Sequence, residues 1–270
     1  MSRILTSIHG RALGLSHSGR LVSAKGFVSG NPGKQLSHSS PDLVSLFDDF
    51  NEGLNTSKWL ATEGTDSITS AAAILNGGIG GVLRLTTGDA GTGLAADTEQ
   101  ITQNQLMWQA SNGGLNFQIR LKLSAITTCW AFFGLTDTVA AALEAPFTLS
   151  GTTFTSNASD AVGFLFDTAA TTDTWRCVGV KADVDGTAFD TTFAPVADSY
   201  ETFRVELDTS GNATYFRNGT VCGYIANAIT AAADLTAIMS VSKLSVAASM
   251  TVDIDYVGVS MNRGLDATAV

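Results

Sequence analysis

Between Phe203 and Ile225 the chain reads FRVELDTSGNATYFRNGTVCGYI, and its apolar and polar positions alternate. Phe203, Val205 and Leu207 interleave with Arg204, Glu206 and Asp208, the period-two pattern of a strand with one buried and one wet face. Turn residues follow at Thr209-Ser210-Gly211-Asn212. Asn218-Gly219, between two β-rich runs, is the pair that tolerates positive φ in a two-residue type I′ hairpin. The stretch predicts three consecutive antiparallel strands.

The same alternation recurs along the chain. Phe117, Ile119, Leu121 and Leu123 are expected to face a core, with Gln118, Arg120 and Lys122 outward. Ile126 to Leu135 is almost continuously apolar, which predicts a strand covered on both faces. Further strands are expected at Val82 to Leu85, Ala161 to Asp167 and Trp175 to Lys181, and two more between Val241 and Val259. Val139 to Phe147 reads as a short alanine helix ended by Pro146. Ala226 to Ala237 reads as alanine-rich and loosely packed. At Leu46 to Trp59 a first strand and a capped turn would anchor Phe47, Phe50 and Trp59. Roughly a dozen short strands joined by turns predict an all-β, two-sheet antiparallel jelly-roll sandwich spanning 42–270.

Residues 1–41 depart from this pattern, because Gly, Ser, His and Arg interrupt every apolar run. They read as an extended basic N-terminal arm. Charge divides at the same place. The arm holds five bases, Arg3, Arg11, Arg20, Lys25 and Lys34, and no acids, for +5; the remainder holds 25 acids against ten bases, for −15. A net charge of −10 argues against a nucleic-acid groove or a general affinity for anionic membrane. No apolar run is long enough for a membrane span and no continuous signal-peptide core is present, so folding in a cytoplasm is expected.

Candidate chemistry is sparse. Cys129, Cys177 and Cys222 lie in apolar runs far from one another in sequence, which predicts reduced, buried thiols and no zinc site. His9, His17 and His38 all lie in the arm, and no Ser sits in a nucleophile elbow with a His partner downstream. Asp48, Asp49 and Glu52 are the best acidic cluster for a divalent cation, without the spacing of an EF-hand loop. No cofactor is expected. Two carboxylate pairs at i and i+2, Glu206 with Asp208 and Asp253 with Asp255, could share a strand face for acid-base work. Trp59, Trp108, Trp130 or Trp175 could offer a ring to a sugar, Trp130 least of all.

Several segments taken together, LFDDFNEGLNTSKW at Leu46 to Trp59, IRLKLS at Ile119 to Ser124, FFGLTDT at Phe132 to Thr138, VGFLFDT at Val162 to Thr168, FRVELDTSGNATYFRNGT and DIDYVGV at Asp253 to Val259, resemble tailed-bacteriophage structural proteins with a concanavalin A-like lectin/glucanase jelly roll. The resemblance spans Leu46 to Arg263. It implies a non-enzymatic virion protein, a capsid decoration or cement protein on the capsid surface, assembled in the host cytoplasm. Its partners would be the major capsid protein and further copies of itself, reached through Arg3, Arg11, Arg20, Lys25 and Lys34. The alternative is a glycan-binding, lectin-like module of a phage tail or fibre, and after it a glycoside hydrolase. The related glucanases carry Glu-x-Asp-x-Glu strands, whereas Glu206-Leu207-Asp208 runs into Thr209-Ser210.

Overall fold

The computed structural model describes residues 14–15, 21–22, 43–65, 71–75, 80–88, 97–139, 145–184, 186, 188–244 and 249–263. The chain divides into two units, Met1–Ser39 and Ser40–Val270. In the first, β1 (Gly14–Leu15) pairs antiparallel with β2 (Leu21–Val22). The five basic residues and three histidines of the arm lie outside the described residues.

The second unit is all-β. In chain order it contains β3 (Leu43–Asp48), β4 (Trp59–Glu63), β5 (Ala71–Ile74), β6 (Leu83–Thr86), β7 (Thr98–Gln103), β8 (Leu115–Leu123), β9 (Cys129–Thr136), β10 (Phe147–Ser150), β11 (Thr153–Ser156), β12 (Ala161–Asp167), β13 (Arg176–Val180), β14 (Phe189–Asp190), β15 (Glu201–Leu207), β16 (Ala213–Arg217), β17 (Thr220–Ile225), β18 (Thr236–Lys243) and β19 (Thr251–Asn262). A seven-stranded sheet runs β14-β13-β12-β9-β18-β7-β4, and an eight-stranded sheet runs β17-β16-β15-β8-β19-β6-β5, with β3 also paired to β19. Phe147 opens a strand, which removes the C-terminal end of the expected helix; residues 140–144 lie outside the described residues. Ala228 and Ile229 are buried, so the alanine-rich segment is packed more tightly than expected.

Each alternation sets which side chains enter the space between the sheets. From β8 come Phe117, Ile119, Leu121 and Leu123, and from β15 Phe203, Val205 and Leu207; all are buried in one core with Phe133, Phe164 and Phe166 of the facing sheet. Phe50 and Trp59 join that core with ring centroids 6.3 Å apart, whereas Phe47 turns to the other side and meets Tyr256. β9 is buried on both faces, as its unbroken apolar run predicts. Its outward residues Trp130 and Phe132 form a second cluster with Leu165, Val178, Val180 and Ile238. The meander β15-β16-β17 has the expected register, with Arg217 opposite Thr220 across Asn218-Gly219. Both turn residues have positive φ, 50° and 81°. Replacing Gly219 by Val puts a β-branched residue in the left-handed region. A loss of about 1–2 kcal/mol in denaturant-unfolding free energy is expected, with the denaturant dependence unchanged.

A carboxyl without a partner interrupts the inner face of the seven-stranded sheet. Glu99 shares with Ile101 the inward side of β7, is 0% exposed, and neither of its carboxylate oxygens has a hydrogen-bond partner among the described residues. Burial first, and then the charge of Glu63 directly across on β4, push its carboxyl up to about 8. The folded state therefore keeps a proton that the unfolded chain releases at the ordinary carboxylate value of 4.5. With the folded value raised, stability is fully present below the unfolded value and falls as pH rises from there to about 8. Glu99→Gln is expected to flatten that slope and to add on the order of 3 kcal/mol at neutral pH, read by urea unfolding at acidic, neutral and mildly alkaline pH.

Candidate functional site

Most of the acids singled out by spacing are held in structural roles. Asp48 accepts from Lys58 Nζ at 3.0 Å, Trp59 Nε1 at 2.9 Å and the Phe50 amide at 2.9 Å. Asp49 accepts from Asn51, and Glu52 is exposed. Among the described residues no group of three His, Cys, Asp or Glu side chains could hold a metal ion. Glu206 lies 3.3 Å from Arg204 on the outer face of β15. Asp208 instead closes the following turn, where the Asn212 side chain and the amides of Asn212 and Ser210 hold its carboxyl below the usual range.

Asp253 and Asp255 are likewise separated. A bulge in β19 between Ile254 and Tyr256 breaks the alternation, and each acid has its own cation. Arg84 grips Asp253 with Nε at 2.6 Å and Nη2 at 2.8 Å, Lys122 adds a contact at 3.3 Å, and Arg120 takes Asp255. Burial opposes ionisation of Asp253, yet the Arg84 and Lys122 contacts outweigh it and its carboxyl stays below the ordinary value. Neither pair forms an acid and base poised over open space. All four tryptophans are buried to 1% or less, and every indole N–H has a protein acceptor, so none is a sugar platform.

A cleft of about 520 Å³ does open elsewhere, on the outer face of the seven-stranded sheet near its β14 edge. The hairpin of β10 and β11 forms one wall. It is fixed to the sheet by packing of Phe147 on Phe132 at 4.9 Å and by the bond from Trp130 Nε1 to the Phe147 carbonyl at 3.0 Å, while Phe147 and Phe154 pack within the hairpin at 5.2 Å. Asp167 of β12 accepts the amides of Leu149 and Ala169; burial raises its carboxyl despite these donors. The turn at Thr171 and Thr172 forms a second wall, and Arg176 and Asp190 supply the charged lining.

These polar groups are closely linked. Arg176 Nη2 donates to Thr172 Oγ1 at 2.7 Å and lies 3.6 Å from Asp190. Thr172 Oγ1 donates in turn to Asp190 Oδ2 at 2.8 Å, while Thr174 Oγ1 and the Thr192 amide satisfy Oδ1. Burial works against the Asp190 carboxylate, but these hydrogen bonds and the Arg176 charge leave it ionised below the usual range. Arg176 Nε is buried with no partner among the described residues. Phe154 and Leu149 add apolar surface beside this donor-acceptor array. Sequence reasoning overlooked the site, although a signal was present: Arg176 is a lone cation inside the apolar run Trp175 to Val180.

No protein-family model and no curated protein matches the chain. Solved structures do. A carbohydrate esterase from the Shiga toxin-encoding bacteriophage phi24B is 18% identical, over 82% of this chain and 98% of that one, with a TM-score of 0.50. The Bacillus licheniformis β-glucanase is 14% identical over 80% and 97%, with a TM-score of 0.53. A glycoside hydrolase family 16 endo-glucanase from Bacteroides ovatus is 13% identical over 79% and 99%, with a TM-score of 0.54. At such identities the likeness shows the fold alone. It nevertheless overturns the expectation of a non-enzymatic protein, because these three solved structures are a carbohydrate esterase, a β-glucanase and an endo-glucanase. The link to phages rests on the first of the three, and nothing in them speaks for capsid decoration. The chain has the concanavalin A-like jelly-roll fold that these carbohydrate-active proteins share.

Proposed function

We propose that the jelly-roll unit binds carbohydrate, and that the cleft beside the β10-β11 hairpin is the binding site. The observation that carries this reading is the Arg176 guanidinium, nine-tenths buried in the cleft, paired with Asp190 and holding Nε without a partner. A sugar presents hydroxyls that both donate and accept, and an apolar face of C–H groups. Asp190 accepts, Arg176 donates, and the Phe154 ring supplies surface for the C–H face. The two-carboxylate arrangement of glycoside hydrolysis is not assembled in this cleft, where Asp190 is the one acid among the described lining residues. The shared fold supports carbohydrate as the ligand class by analogy.

Titration of the full chain with neutral β-glucan oligosaccharides tests the site. Arg176→Met and Phe154→Ala are each expected to weaken binding at least about tenfold, or about 1.4 kcal/mol, with the circular dichroism spectrum unchanged. Unaltered affinity in both folded variants excludes the cleft.

A second reading concerns the arm, and charge segregation favours it: +5 up to Pro41 from five bases and no acids, against −15 beyond it. Arg3, Arg11, Arg20, Lys25 and Lys34 would attach the protein to a larger assembly such as a phage capsid or to further copies of itself, leaving the acidic jelly roll to solvent. Deletion of residues 1–40 is expected to abolish co-sedimentation with undecorated phage heads while glycan binding persists. Co-sedimentation that survives the deletion removes the arm from this role.

A further inference from the structure

Cys177 and Cys222 are distant in sequence, but the fold brings them together at one margin of the sandwich. β13 of the seven-stranded sheet lies against β17, the edge of the eight-stranded sheet. Cys177 is on the inward side of β13 and fully buried. The pairing of β16 with β17 contains a register shift: Tyr215 stands opposite Gly223 and Phe216 opposite Val221, which leaves Cys222 as the extra residue of a bulge. A bulge re-aims a side chain that strict alternation would send outward, and Cys222 packs half-buried at the border of the main core. Its neighbour Gly223 is small for a local reason. A Cβ there would lie 2.6 Å from Cys177 Sγ, so glycine lets the β17 backbone settle onto that sulfur.

The two thiols lie at one place in the fold and are not equivalent, Cys177 being fully buried and Cys222 half-buried. The contact with Cys177 and the nearby Arg217 cation hold the Cys222 thiol below its ordinary value, against its partial burial. The same contact, then burial, push the Cys177 thiol up. A partly accessible thiol backed by a buried second thiol is the arrangement of an attacking and a resolving cysteine.

We propose that Cys177 and Cys222 are an oxidisable dithiol that closes into a disulfide between the two sheets on reaction with a small-molecule disulfide. The Cys222 thiolate attacks one sulfur of glutathione disulfide, whose S–S bond breaks and releases one glutathione thiolate. Cys177 then attacks the Cys222 sulfur and passes its proton to the second glutathione sulfur, which leaves as the thiol. Two protein thiols are oxidised by two electrons, and one glutathione disulfide is reduced to two thiols. Because Cys177 directly follows Arg176, the cross-link fixes the strand that carries the cleft's guanidinium. Cys129 is the internal control: burial raises its thiol to about 12, and neither other cysteine touches it in the described contacts.

The test is incubation of the full chain with glutathione disulfide, alkylation of remaining thiols, and intact-mass and peptide analysis. One alkylated cysteine is expected in place of three, with a peptide pair joined through Cys177 and Cys222, no retained glutathione and a higher thermal midpoint. Cys177→Ser is expected to retain glutathione on Cys222 as a stable mixed disulfide. Three alkylated cysteines in the wild type, glutathione held on Cys222 beside a free Cys177, or a bridge between Cys222 residues of two chains each overturn the proposal.

Discussion

Trp175 ties the two sheets together, and much else in the molecule is placed by it. Its ring lies 6.0 Å from Phe133 and 5.5 Å from Phe166 in the seven-stranded sheet, and 4.7 Å from Phe203 in the eight-stranded one. Buried aromatic pairs of this kind contribute about 0.5–1.5 kcal/mol each beyond their area. The indole N–H donates to Glu201 at 3.2 Å, and Glu201 is paired in turn with Arg217. A buried carboxylate so engaged strongly penalises loss of either partner, since the other charge is then left unpaired. With Trp175 directed inward, strand alternation sends Arg176 out to the cleft and Cys177 back toward β17. The cleft and the thiol pair both follow from how that one ring is seated.

The outer side of the seven-stranded sheet is the second constraint. A sandwich of two sheets ordinarily leaves each outer face to water, yet β7, β9, β12, β13 and β18 are buried on both faces. The β10-β11 hairpin covers part of that face with Phe147, Leu149 and Phe154. Where its cover ends, Arg176 and Asp190 meet the space left beside it. Asp167 is integral to this arrangement, since it accepts the amide of Leu149 on the hairpin and that of Ala169 in the adjoining turn.

Carboxylates elsewhere are distributed differently from a hydrolase pattern read off spacing. Asp253 is clamped by Arg84 and Lys122, Asp208 closes a turn, and Glu99 is sealed inside the core with its proton. The fold is one that carbohydrate-active enzymes share, but fold does not decide chemistry.

The sequence by itself determined the all-β architecture, because the period-two alternation that marks a half-buried strand is a local property. Residues Phe117 to Leu123 and Phe203 to Leu207 declared their inward faces, and Asn218-Gly219 declared both a turn and its register. The continuous apolar run ending at Leu135 likewise announced a strand buried on both sides. Charge segregation between residues 1–41 and the remainder was equally plain. What covers each face was decided only by the tertiary structure. Sheet order joins strands far apart in the chain, so nothing local paired Arg176 with Asp190, set Cys222 against Cys177 through a bulge, or placed all four tryptophans in the interior. The i and i+2 spacing of Asp253 and Asp255 promised a shared face, and an irregularity in β19 together with separate cations undid it. Alternation specifies which way a side chain points; only the long-range pairing of strands determines what it meets.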